Sequence, residues 1–186
     1  MSGKQGDERW IGRLRVIGWT AVAIILLLPA LAMQLTDEVD WSAGDFMAAG
    51  VLLIGTGLLA ELVVRRTRDN AYRAGAAIAL FATLLLAWSN AAVGFVGSGG
   101  NTANILYVAL LAVVLAGGFV AGFAAPGMAK AMVAAAVGQG LVMVLAFASD
   151  LVGPEETGII LFMNLFFVAL WSAAAVLFRK AARRGA

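Results

Sequence analysis

Cysteine and histidine are both absent from this chain of 186 residues. Without cysteine there is no disulfide, thiolate metal site, iron–sulfur cluster or thiol nucleophile. Without histidine the usual haem and zinc ligand and the commonest general base are missing too. Charge is scarce, at 13% of residues, about half of what a soluble domain of this size carries. So little charge cannot cover a water-facing surface. No nucleophile–base pair, metal-ligand set or phosphate-binding loop stands out, so an enzyme is the least supported class and no cofactor or metal is expected. A net charge of +2 is no nucleic-acid signature.

What the chain does have is hydrophobic residues, 62% of the total with a mean hydropathy of +0.94. They fall in blocks, not at amphipathic spacing. Blocks of about 20 apolar residues cross a bilayer as helices, because a helix satisfies its own backbone hydrogen bonds in hydrocarbon. Six such spans can be drawn, at 16–33, 42–64, 72–96, 103–123, 128–148 and 158–178. The expected fold is all-α: a polytopic transmembrane bundle forming one integral membrane domain over 1–186.

Charge sidedness supports six spans. The basic residues cluster before span one (Lys4, Arg9, Arg13, Arg15), between spans two and three, at Lys130 after span four, and in the tail from Arg179 to Arg184. These segments share one side only with six spans. The three opposite loops hold six of the eleven acids and no base, and Asp45 at the adjoining start of span two makes a seventh acid on that side. The positive-inside rule then places both termini in the cytoplasm, in a multi-pass protein whose basic flanks meet anionic lipid. A rival is a cleaved signal peptide, since 16–28 followed by Ala30-Leu31-Ala32 imitates one. The long basic lead and the apolar run past Pro29 favour retention. Three spans followed by three invert the halves, as in many transporters, but nothing aligns between them.

Helices in lipid associate through small residues and a few polar contacts. The chain has 22 glycines. Gly118-x-x-x-Gly122 in span four reads as a helix-packing interface, with Gly117 and Ala121 beside it. Span two carries Gly50, Gly55 and Gly57, and span five Ala131, Ala135, Ala136 and Gly140. Packing within the chain is the plain reading; an oligomer or partner interface is the sharper one. In span six, Phe162, Phe166, Phe167 and Trp171 read as one bulky side, facing lipid or else docking a partner or a pigment-like apolar ligand. Trp41 reads as an interfacial anchor. Ala125-Pro126-Gly127-Met128 has the order of a type II turn.

Polar groups inside a membrane are functional candidates by default. Glu61 stands four residues before Arg65, the favourable order for a helical ion pair; a structural pair competes with a proton or cation site. Ser42-x-x-Asp45 resembles a capping box. Asn90, beside Trp88, lies in the outer half of span three, Gln139 near the middle of span five, and Asn164 in the outer half of span six. Three amides on three helices either hydrogen-bond between helices or line an outward-facing site for a neutral ligand. Asn101 and Asn104 read as caps that order the Gly-rich turn at 97–100. That turn offers backbone N–H groups to an anion but has no basic residue.

Several stretches carry a resemblance: Trp88-Ser-Asn90-Ala-Ala-Val-Gly94-x-x-Gly97-Ser98-x-x-Asn101-x-Ala-Asn104; Asp45-Phe46 ahead of Gly50-x-Leu-Leu; Glu61-Leu62 before Arg65-Arg66; and Pro126-x-Met-Ala. Over roughly residues 40–130 the chain resembles an uncharacterised family of small bacterial multi-span inner-membrane proteins. The resemblance implies a bacterial inner-membrane origin and no activity. An intramembrane lysine of the kind a retinal protein needs is missing, as are the signatures of small acetate or urea channels.

The expected function is therefore non-enzymatic: a structural or accessory subunit docking to itself or to a larger membrane complex, in contact with lipid and not with nucleic acid. The alternative is a small transporter or channel for a neutral solute or lipid, using Asn90, Gln139, Asn164 and Trp88.

Overall fold

A computed structural model describes residues 2–97, 100–149 and 151–185. The side chains of 2–11 and 14 lie outside that description, as do Ser98 and Gly99 of the Gly-rich turn and Asp150. Lys4 and Arg9 fall among those side chains.

Six helices follow in order: α1 (Ser2–Leu35), α2 (Ala43–Arg66), α3 (Asn70–Ala92), α4 (Ala103–Val120), α5 (Ala125–Ala148) and α6 (Thr157–Arg184). There is no strand among the described residues. Each helix contains a stretch long and apolar enough to cross a membrane. The chain is all-α with six such helices, the architecture of a multi-pass membrane protein.

The helix ends explain themselves locally. At α2, the Ser42 N–H donates to Asp45 Oδ2 at 2.8 Å and the Asp45 N–H to Ser42 Oγ at 3.3 Å, a reciprocal capping box. At α3, Asp69 Oδ1 accepts the Tyr72 N–H at 2.7 Å. The type II turn expected at 125–128 is instead the first turn of α5, with proline at its first positions. Proline suits that place, because its missing N–H has no helical partner there and its fixed φ is already helical. The chain reverses earlier, at Gly122 and Phe123, whose φ values are 53° and 57°.

By contact, the chain forms two compact units, Met1–Leu62 and Val63–Ala186. In the first, the Trp19 ring lies against α2, and a Cβ on Gly57 would sit 3.4 Å from the indole. Arg15 of α1 and Glu61 of α2 form an ion pair there, with Arg15 Nε donating to Glu61 Oε2 at 2.9 Å.

In the second unit α3 packs on α4, α4 on α5, α5 on α6, and α6 returns to α3. That is a closed four-helix ring whose consecutive members are joined by short connections and alternate in direction. Its interior holds Leu86, Tyr107, Met132, Phe167, Trp171 and Phe178, none more than 2% exposed. Small residues allow two close approaches. A Cβ on Gly75 of α3 would meet Leu177 Cβ at 3.2 Å and the Ala174 carbonyl at 3.3 Å, both on α6. One on Gly117 of α4 would meet Ala131 Cβ of α5 at 3.0 Å.

Two packing expectations change. The aromatic residues of α6 do not share a side. Phe162 is 63% exposed, while Phe167 and Trp171 are wholly buried. Five residues separate Phe162 from Phe167, which at 3.6 residues per turn sets them about 140° apart. Trp171 repeats Phe167 one turn later, and the buried line continues to Ala174 and Phe178.

Gly118 and Gly122 are not a helix-face pair either, because α4 ends at Val120. Phe123 N–H donates to the Gly118 carbonyl at 3.2 Å and Gly122 N–H to the Phe119 carbonyl at 2.9 Å. Those two bonds, with glycine at positive φ and the Phe123 ring 3.7 Å from where a Gly118 Cβ would stand, make a Schellman stop. The four-residue spacing is that of a helix terminator.

Candidate polar site

The polar centre of the four-helix unit lies between α4, α5 and α6. Gln139 Nε2 donates to Asn164 Oδ1 at 2.9 Å. The Tyr107 hydroxyl lies 3.2 Å from the same oxygen and 3.1 Å from Asn164 Nδ2, which also donates to the Ile160 carbonyl at 2.8 Å. Trp171 Nε1 reaches Gln139 Oε1 at 3.5 Å, the long end of hydrogen bonding. Tyr107, Gln139, Asn164 and Trp171 are all fully buried. Among the described residues no buried side-chain nitrogen or oxygen lacks a partner. An unmet amide in an apolar interior costs several kcal/mol, so these groups hold one another and fix the rotation of three helices.

Two of the three expected amides thus meet. Asn90 bonds elsewhere, its Nδ2 donating to the Asn104 carbonyl at 3.0 Å. Trp88, two residues earlier on α3, is half-buried. Asn104 is the centre of a second cluster. Its Oδ1 accepts the Phe95 N–H at 2.7 Å and the Val96 N–H at 2.9 Å, and its Nδ2 donates to the Val96 carbonyl at 3.3 Å. Asn101 Oδ1 accepts the Ala103 N–H at 2.9 Å, and its Nδ2 crosses to the Leu151 carbonyl at 2.9 Å. The two asparagines tie the α3–α4 connection to the start of α4 and to the α5–α6 connection.

Tyr107 and Trp171 are the members that sequence reading missed. A tyrosine one turn inside an apolar helix was the available signal, because its hydroxyl needs a partner when buried. Trp171 was hidden by being grouped with the exposed Phe162.

Glu61 is the other candidate. Its side chain is 14% exposed and meets Arg15, itself 47% exposed. The sequence pairing with Arg65 looked only along α2 and did not anticipate a partner from α1. Chemically, the amide–phenol centre is neutral and carries no group that titrates near neutral pH. Among the described residues no group of three or more histidine, cysteine, aspartate or glutamate side chains is placed to hold a metal.

Comparisons with protein-family models, with curated proteins and with solved structures return no match.

Proposed function

We propose that this protein is a non-enzymatic integral membrane subunit of the bacterial inner membrane, with both termini cytoplasmic, that docks to itself or to a larger membrane complex. The observation that carries this reading is the closure of the Gln139–Asn164–Tyr107 centre. Its amides bond to each other and to the phenol inside a packed unit, so they serve helix–helix contact and present nothing to a solute. The distribution of burial adds support. A third of the spanning windows of α4 and α6 is buried inside the chain. Helices in lipid are held by close packing, and α4 and α6 find it inside the four-helix unit.

Gly50 offers a clean test, because a Cβ there meets nothing within 4 Å. The mass of the protein is measured after extraction in mild detergent, for the native chain and for Gly50→Leu. A defined oligomer or stoichiometric complex that Gly50→Leu dissociates, with the helix content of the separated chain unchanged by circular dichroism, supports docking through α2. A native chain that is monomeric and partner-free in detergent and in lipid nanodiscs overturns the subunit reading. Solute flux across vesicles, with variants at Asn90, Gln139 and Asn164, then becomes the leading question.

A further inference from the structure

The four-helix unit is strongly polarised along its length. Of its residues from Val63 on, all nine basic side chains lie where α2 ends, α3 and α5 begin and α6 ends. Among the described residues from Val63 on, the only acid at that end is Asp69; Glu155 and Glu156 belong to the opposite connection. Arg65, Arg66 and Arg68 are exposed at the α2–α3 connection, and Lys180 and Arg183 in the last turns of α6.

The fold gathers these two arms. Arg184 approaches Asp69 at 3.6 Å, setting the last turn of α6 against the α2–α3 connection. Arg73 locks that connection by donating to the Val64 carbonyl at 2.8 Å and the Thr67 carbonyl at 2.9 Å. Asp69 is further engaged as the α3 cap. Packed helix axes lie about 8–10 Å apart, close to the Debye length of about 8 Å at physiological salt. Cations held at neighbouring helix ends therefore repel one another and concentrate a positive potential. Next to a bilayer the complementary charge is the lipid phosphate, which arginine binds in bidentate fashion.

We propose that this end of the four-helix unit is a docking surface for the headgroups of anionic phospholipid, with Arg68, Lys180 and Arg183 among its binding side chains. The surface recognises charge, so phosphatidylglycerol binds and stabilises the unit and phosphatidylcholine does not. The two arms come from elements distant in sequence, and bound lipid therefore opposes their separation on unfolding.

The test uses the full chain purified in nonionic detergent and delipidated. Its melting temperature is measured with added phosphatidylglycerol, with phosphatidylcholine at the same ratio, and with inorganic phosphate. The expected result is a rise with phosphatidylglycerol alone, reduced by at least half in the triple variant Arg68→Gln, Lys180→Gln, Arg183→Gln. An equal rise with both lipids, or a full rise in the triple variant, overturns the proposal. A rise reproduced by inorganic phosphate overturns the lipid assignment in favour of a free anion. Should the variant not fold, the native chain decides by salt: the rise must shrink toward 1 M salt, where the Debye length falls to about 3 Å, and persistence at full size overturns the proposal.

Discussion

Replacing Gly122 with alanine puts a Cβ on a residue whose φ is 53°, a conformation that costs an L-residue about 1–2 kcal/mol. Gly122→Ala therefore lowers stability by about 1 kcal/mol in a detergent unfolding titration, and Gly122→Asn by less. Gly140→Ala is the control. That glycine lies within α5 and a Cβ on it meets nothing within 4 Å, so the change is neutral or mildly stabilising. The buried amides invite a different measurement. Gln139→Leu removes one of two donors to Asn164 Oδ1 and leaves the Trp171 indole N–H unmet, and Asn164→Leu strands both Gln139 Nε2 and Tyr107; each costs about 1–3 kcal/mol. The double replacement costs less than the sum, because neither amide is then left alone, and a double-mutant cycle in unfolding free energy reads the difference. Additive losses would show that the pair does not act as a unit. At this scale the sequence disclosed which residues matter better than why. Gln139 and Asn164 stood out as amides in apolar helices, and Ser42–Asp45 as a cap. Gly118 and Gly122 stood out for the wrong reason, since four-residue spacing fits a packing stripe and a Schellman stop equally well. Only the helix end at Val120 separates them.

Between elements, what decides a substitution is what the added atoms meet. Gly75 and Gly50 are both helical glycines in apolar spans. A Cβ on Gly75 would press on Leu177 and the Ala174 backbone of α6, whereas one on Gly50 enters open space. Gly75→Leu should thus push α3 from α6 and cost about 1–3 kcal/mol or abolish folding, while Gly50→Leu leaves the melting temperature of the separated chain unchanged. Equal melting of the two variants would mean that α3 and α6 do not approach as described. Element existence and number were legible because six apolar blocks are separated by charge or by glycine, proline and asparagine, and hydrocarbon permits only helices across such blocks. Orientation about the helix axis was not. Apolar residues surround each span on all sides, since the lipid-facing side is as hydrophobic as the packed one. That is why the aromatics of α6 were assigned to a single side. The order of packing within the four-helix unit was equally hidden, because the small residues that set it occur on every helix.

For the whole molecule, the missing cysteines become a tool. A chain with no thiol of its own accepts single cysteines one at a time, each labelled by a membrane-impermeant maleimide from one side only. Alternation of six helices demands that Arg68→Cys, Ala124→Cys and Gly185→Cys label together, and that Thr36→Cys, Gly100→Cys and Ser149→Cys label from the other face. All six positions are exposed and lie between or beyond the helices. The proposed topology assigns the first set to the cytoplasm, because that face carries the arginines. Labelling of the first set from outside would reverse the orientation and leave the fold untouched. A mixed pattern within either set would break the six-span count itself. The cleaved-leader alternative survives this experiment unchanged, because removing α1 alters no later loop. It differs in mass, so intact-mass measurement on the same membranes completes the argument: a chain still carrying the residues before Ala32 retains its first span, and with it the Arg15 that pairs with Glu61.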